Sequence, residues 1–173
     1  MDLSRFRRLL GNPLVNGDSN RDWSDLEARI EVELPEDYKE FISAYGAGCL
    51  NDQMLLFHPK GDPVDGLRLE VLMKSAHSAY SMLRERSPEL YPYPIHPDDG
   101  GCIAIGRSYG GNHLFLSPPG PESGQWGIVV EMGEWAVFDL SFTDFLWQAL
   151  NGEIFLPVIY GEPSFEPISA MSE

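Results

Sequence analysis

Leu34-Pro35-Glu36-Asp37-Tyr38-Lys39-Glu40-Phe41-Ile42-Ser43-Ala44-Tyr45-Gly46-Ala47-Gly48 carries its own start and stop signals. Pro35 suits the first helical position, where its missing N–H would have no intrahelical partner. Glu36 and Asp37 follow in the first turn, where negative charge meets the positive end of the helix dipole. Tyr38, Phe41, Ile42 and Tyr45 recur at helical spacing and make one apolar face. Gly46 stands where a left-handed residue closes a helix, and Gly48 keeps the following turn loose. The spacing predicts a short amphipathic helix running into a glycine turn. Its aromatic face is expected to pack on a sheet built from residues 102–140.

Upstream, Leu3, Phe6, Leu9 and Leu10 share one helical face, and Gly11 and Pro13 stop the run. Residues 12–21 read as a polar loop. Asn20 or Asp22 can cap a second helix through Trp23, Leu26 and Ile30. Downstream, residues 54–57 form a short apolar run that predicts the first strand. From 67 to about 86, Leu69, Leu72, Ala76, Ala79, Tyr80 and Leu83 hold helical spacing in what should be the longest helix. Ser87-Pro88 ends it, because a residue before proline is disfavoured in the α region. Residues 91–99 contain Pro92, Pro94 and Pro97 and predict an extended loop.

The second half changes period. Residues 102–106, 113–117, 126–131 and 135–140 are short β-rich runs separated by glycine-rich or proline-rich turns. They predict a meander of antiparallel strands. Ser141 is an N-cap residue by type, with Asp144 at the capping-box position and Leu140 and Phe145 at the staple positions. A helix over 142–150 follows and stops at Asn151-Gly152. Residues 154–160 predict an edge strand limited by Pro157, and 161–173 a weakly ordered tail. The expected architecture is a single α+β domain over 1–160, an antiparallel sheet with helices on one face.

Composition bounds the function. At 173 residues with 43% hydrophobic content, the chain can bury one real core. Its 27 acids against 12 Lys and Arg leave a net charge of −15. Such a surface repels nucleic acid and anionic membrane and attracts basic partners. Cys49 and Cys102 form no metal or redox motif and are expected reduced and buried. Arg5, Arg7 and Arg8 have no long apolar run after them, so no signal peptide or membrane span is predicted, and the expected compartment is the cytoplasm.

Candidate chemistry is sparse. Gly106-Arg107-Ser108-Tyr109-Gly110 matches the G-x-S-x-G nucleophile elbow, but that elbow needs a helix next, and here another strand follows. His113 is the only histidine after Ser108, with no acid between them. A turn between strands is the expected reading. His96-Pro97-Asp98-Asp99 offers oxygen and nitrogen donors, without a second cluster of metal-ligand spacing. No phosphate-binding fingerprint occurs. Trp126, after a polar loop, is the tryptophan expected to be partly exposed.

The L-P-x-D-Y-x-x-F-x-x-x-Y-G-x-G pattern of the opening stretch resembles the signature of the SUKH superfamily, the Smi/Knr type named for a yeast cell-wall assembly regulator. Three further features are similar to the family pattern: Trp23 a short spacer before the helix, Ile103-Ala104-Ile105-Gly106 in mid-chain, and Trp135 leading to Ser141-Phe142-Thr143-Asp144-Phe145-Leu146. The resemblance runs from about Trp23 to Gly152 and implies the same α+β architecture. It also implies a bacterial immunity protein that neutralises a polymorphic toxin by binding it, or a general protein-interaction module. Many such toxins are basic-surfaced enzymes. The family commonly places an acid after the glycine turn that follows the central strand. This chain has Asn112 there, so no contact role is carried onto that position. The residues expected to meet a basic toxin are Asp98 and Asp99 on the proline-rich loop, Glu122, and Trp126 as an aromatic anchor. No catalytic residue, metal or cofactor is assigned. The alternative class is a small hydrolase using loop carboxylates such as Asp98 and Asp99.

Overall fold

The computed structural model describes residues 2–13, 20–62, 66–122 and 124–168. Most of the loop expected over 12–21, and residues 169–173 of the expected tail, lie outside them. Pro35 caps α3 (Glu36–Tyr45) from an extended backbone, so the helix starts one residue later than its proline suggests. Gly46 closes it with φ +78° and donates its N–H to Ile42 O at 2.7 Å. Tyr38, Phe41, Ile42 and Tyr45 are all buried, as their spacing requires.

The partners of that face differ from the expectation. The Phe41 ring lies 5.1 Å from Phe6 on α1 (Ser4–Leu10) and 5.6 Å from Phe142 on α5 (Phe142–Leu150). Tyr38 meets Phe142 at 5.2 Å and Trp23 at 5.7 Å, the latter on α2 (Asn20–Ile30). The ring neighbours of α3 are therefore mainly other helices, not the 102–140 strands. Asp37 adds a polar tie. Its Oδ2 accepts from the Thr143 N–H at 2.9 Å and from Thr143 Oγ1 at 3.0 Å, placing a carboxylate at the N-terminus of α5. At the same terminus Ser141 Oγ accepts the Asp144 N–H at 3.2 Å, the expected cap. The Asp144 carboxylate does not complete a capping box. It pairs with Arg5 at 3.0 Å and so ties α5 to α1.

Among the described residues the sheet has seven antiparallel strands in the order β6-β5-β4-β3-β2-β1-β7. β3 (Ile103–Ser108), β4 (His113–Ser117), β5 (Gly127–Glu131) and β6 (Trp135–Phe138) form the expected meander. β2 (Met54–Leu56) extends it, and β1 (Gly48–Leu50) comes next, where a turn was the natural reading of a glycine-led stretch. β7 (Phe165–Pro167) then covers β1, with Cys49 opposite Glu166. This corrects two readings. Residues 165–167 are strand rather than loose tail, and residues 154–160 form turns with a single bridge between Leu156 and Ile159. Gly48 explains the first correction. A Cβ there would stand 2.5 Å from Glu166 O and 2.6 Å from the Phe165 ring, so glycine is what lets β7 close on β1. Pro167 is tolerated because β7 is an edge strand.

The α+β class stands, but the helices divide between both faces. Strand side chains alternate, so His113 and Phe115 point away from Leu114 and Leu116. Tyr80 on α4 (Leu69–Arg86) packs on His113, Phe115 and Trp135, at 5.1, 5.6 and 5.7 Å. Phe145 on α5 packs on Phe138 at 5.1 Å. Phe138 is in register with Ile128 and Leu116, on the opposite face. Cover on both sides accounts for four successive buried residues, His113 to Leu116, in β4. Cys49 and Cys102 are free and buried.

Candidate partner-binding surface

Loop 94–102 is clipped shut by its own backbone. Cys102 N–H donates to Pro94 O at 2.8 Å, His96 N–H to Cys102 O at 2.9 Å and Gly101 N–H to Asp98 O at 2.9 Å. Asp98 and Asp99 are exposed at its tip. Ile103 opens β3 opposite Leu116, and Ser117 closes β4 opposite Gly127. Loop 94–102 and loop 118–126 therefore leave the sheet at the same end, which brings Asp98 and Asp99 to the end that carries Glu122. Glu122 is exposed; Trp126 is half-buried against the core, as are Trp135 and Trp147. Trp126 is thus only partly exposed, as its position after a polar loop suggested.

Asp98 is not a solitary acid. Its Oδ1 lies 3.0 Å from His77 Nε2 on α4. Beside it runs a groove of about 510 Å³ lined by Arg29, Glu70, Lys74, His77 and His96. Arg29 is spent on Glu70, which it grips through Nε and an amino group at 3.1 and 2.7 Å. Burial, together with the neighbouring His77, holds His96 below the ordinary imidazole range. Among the described residues, no group of three His, Cys, Asp or Glu side chains is arranged to hold a metal ion.

Ser108 lies at the other end of the sheet, where it ends β3 and opens the β3–β4 turn. Its N–H donates to Asn112 O at 2.8 Å, and its Oγ accepts the Asn112 N–H at 3.0 Å. The serine is 7% exposed and built into the hairpin, with Gly111 at φ +89° making the reversal. The neighbouring His113 is turned to Tyr80, whose hydroxyl lies 2.8 Å from its Nδ1. His113 is therefore not aimed at Ser108.

A family model for the SMI1 / KNR4 family (SUKH-1) matches residues 19–148. The chain belongs to the SUKH-1 family. The matched span takes in α3, the meander and most of α5, the parts that carried the sequence resemblance. No curated protein matches the chain. In this SUKH-1 chain, Asn112, which stands where the family commonly has an acid, turns its side chain back to Ser108, Oγ to Oδ1 at 3.3 Å. Among the described residues no helix is long and apolar enough to cross a membrane.

Ser108→Ala is therefore expected to leave the biological activity of the SUKH-1 chain intact. A hydrolytic activity that disappears in this variant with an unchanged melting curve would contradict the turn reading.

Sequence reading missed one cluster. Tyr109, Phe155 and Tyr160 are 67%, 75% and 50% exposed. Tyr109 and Tyr160 line one hollow of about 250 Å³ with Asp52 and Pro157, and the Phe155 ring lies 6.1 Å from Tyr160. Two signals pointed there. Tyr109 sits in a glycine turn, where an aromatic ring has little core to enter. No lysine or arginine follows Arg107, whereas nine acids do.

Proposed function

We propose that this SUKH-1 chain is a cytoplasmic immunity protein, a non-catalytic domain that binds a basic toxin and neutralises it by direct contact. The observation that carries the reading is the charge: 27 acids against 12 Lys and Arg on a chain of 173 residues. A field of this sign speeds encounter with a positive protein surface and disfavours nucleic acid and anionic lipid. Membership of the SUKH-1 family is consistent with that role. Exposed acids on clipped loops also suit it. Asp98 and Asp99 stand at a loop tip, the usual place for contact residues, and loop 94–102 loses little freedom on binding. Glu122 and the partly exposed Trp126 extend the same end of the sheet.

The test uses the protein partner recovered with this chain by pull-down from its native cells. Association measured at low and high salt should slow by at least about tenfold as salt rises. Asp98→Lys with Asp99→Lys should slow it further at low salt and leave dissociation nearly unchanged, because rim charges act mainly on the on-rate. Salt-independent association, or a retained small molecule in place of a protein, would contradict the reading.

A further inference from the structure

The exposed acids account for encounter, but a lasting interface also needs buried anchors, commonly aromatic or arginine side chains at its centre. At the Asp98 end Trp126 is half-buried against the core and is not among the exposed aromatic rings of the described residues. The opposite end of the sheet presents three. Tyr109 follows β3, Phe155 and Tyr160 share segment 154–160, and one turn braces Tyr109 and Tyr160. Gln53 O accepts the Tyr109 N–H at 3.3 Å, and Gln53 Oε1 accepts the Tyr160 N–H at 2.9 Å. Asn51 holds the same strand entry, its Oδ1 accepting the Ser164 N–H at 3.0 Å. Asn51 and Asp52 both take positive φ, 52° and 57°, a conformation that Asn and Asp adopt more readily than most residues. The anchors are thus set on a fixed frame before any partner arrives, which lowers the ordering cost of docking.

Charge selects the occupant. Asp52 lines the same hollow, Glu166 lies near enough to act on Tyr109, and Glu162 follows Tyr160 by two residues; all three are exposed. Asp52 and Glu166 both act on the Tyr109 hydroxyl, which lies above its usual range chiefly through its hydrogen bond with Cys49. Arg107, two residues before Tyr109, is engaged over the Phe57 ring at 5.6 Å. A second copy, also at −15, would be repelled. A guanidinium fits both features of the patch, stacking on an aromatic face while pairing with a carboxylate. Phe155, Tyr160 and the segment after them also lie beyond residues 19–148, so most of this surface is built outside the family match.

We propose that Tyr109, Phe155 and Tyr160, rimmed by Asp52, Glu162 and Glu166, form a docking site for an arginine-bearing protein surface. The proposal rests on the basic-partner reading and locates its anchor. An amide chemical-shift titration of the wild-type chain tests it, using a synthetic arginine-rich peptide, a lysine-rich peptide of equal charge and a neutral glycine-serine peptide. The expected result is a set of shifts centred on Gln53, Tyr109, Phe155 and Tyr160, larger affinity for the arginine peptide, and none for the neutral one. The triple variant Tyr109→Ser, Phe155→Ser, Tyr160→Ser should weaken arginine-peptide binding about tenfold. The shift map is read on the unaltered chain and stands even where the variant folds poorly. Shifts confined to Asp98, Asp99 and Glu122, or spread evenly over the acids, would overturn this site and leave the basic-partner reading in place. Failure of both cationic peptides to bind at low salt would count against both. A dimer in sedimentation that dissolves in the triple variant would assign the patch to self-association and overturn the proposal.

Discussion

Replacing Phe41 with alanine is expected to lower the unfolding free energy by roughly 3–5 kcal/mol. At a urea slope of about 2 kcal/mol per molar, the midpoint should fall by about 1.5–2.5 M. The size follows from where the ring sits. Phe41 is fully buried, with Phe6, Tyr45 and Phe142 within 5.6 Å of its centroid. Those neighbours come from α1, α3 and α5, three elements distant in sequence. Removing the ring leaves a void whose walls belong to three helices, and helices tied by Asp37–Thr143 and Arg5–Asp144 cannot easily close around it. Phe41→Leu keeps most of the volume and should cost clearly less. An unchanged midpoint in Phe41→Ala would show that α3 is peripheral and that the fold is organised elsewhere.

The second large effect is on pH. His113 is 9% exposed, between the rings of Tyr80 and Phe115. Burial pushes it down to about 4 from an ordinary 6.5; Glu131 pulls the other way and Arg107 adds to the depression. Above about pH 6.5 the imidazole is neutral in both states and contributes nothing to the pH slope. As pH falls from 6.5 towards 4, the unfolded chain binds a proton that the folded chain refuses, so stability is lost across that window. The loss should reach about 2–3 kcal/mol. Urea unfolding of the wild type and His113→Phe at pH 7 and pH 4.5 isolates this contribution from the carboxylates. The stability difference between the two proteins should move about 2 kcal/mol in favour of the variant at the lower pH. An identical difference at both values would show that His113 is not held neutral.

The parts legible from sequence are those with local determinants. α3 and α5 carry their caps, their aromatic faces and their glycine stops within a few residues, and α5 falls on Phe142–Leu150 as its signals require. The meander is legible because each strand is bounded by glycine or proline turns. What escaped depends on distant contacts. β1 is Gly48-Cys49-Leu50, which locally reads as turn; it is strand because it pairs with β2 on one side and with β7, which returns more than a hundred residues later, on the other. The split of helices over both faces was equally hidden. Periodicity shows that α4 has an apolar face, but not which side of the sheet receives Tyr80. The candidate site divides the same way. Acidic loops are visible in composition, whereas the Tyr109–Tyr160 hollow joins two segments through the Asn51–Gln53 turn and exists only in the folded chain.

The most direct test of the account is a titration of toxin activity. The partner recovered with this chain by pull-down from its native cells is purified and mixed with increasing amounts of the chain, and its toxic activity is measured. A binding immunity protein should abolish that activity at an equimolar ratio, with a stable complex on a sizing column and no chemical change in the toxin. Persistent activity in large excess, or inactivation by far less than an equimolar amount, would contradict neutralisation by direct binding.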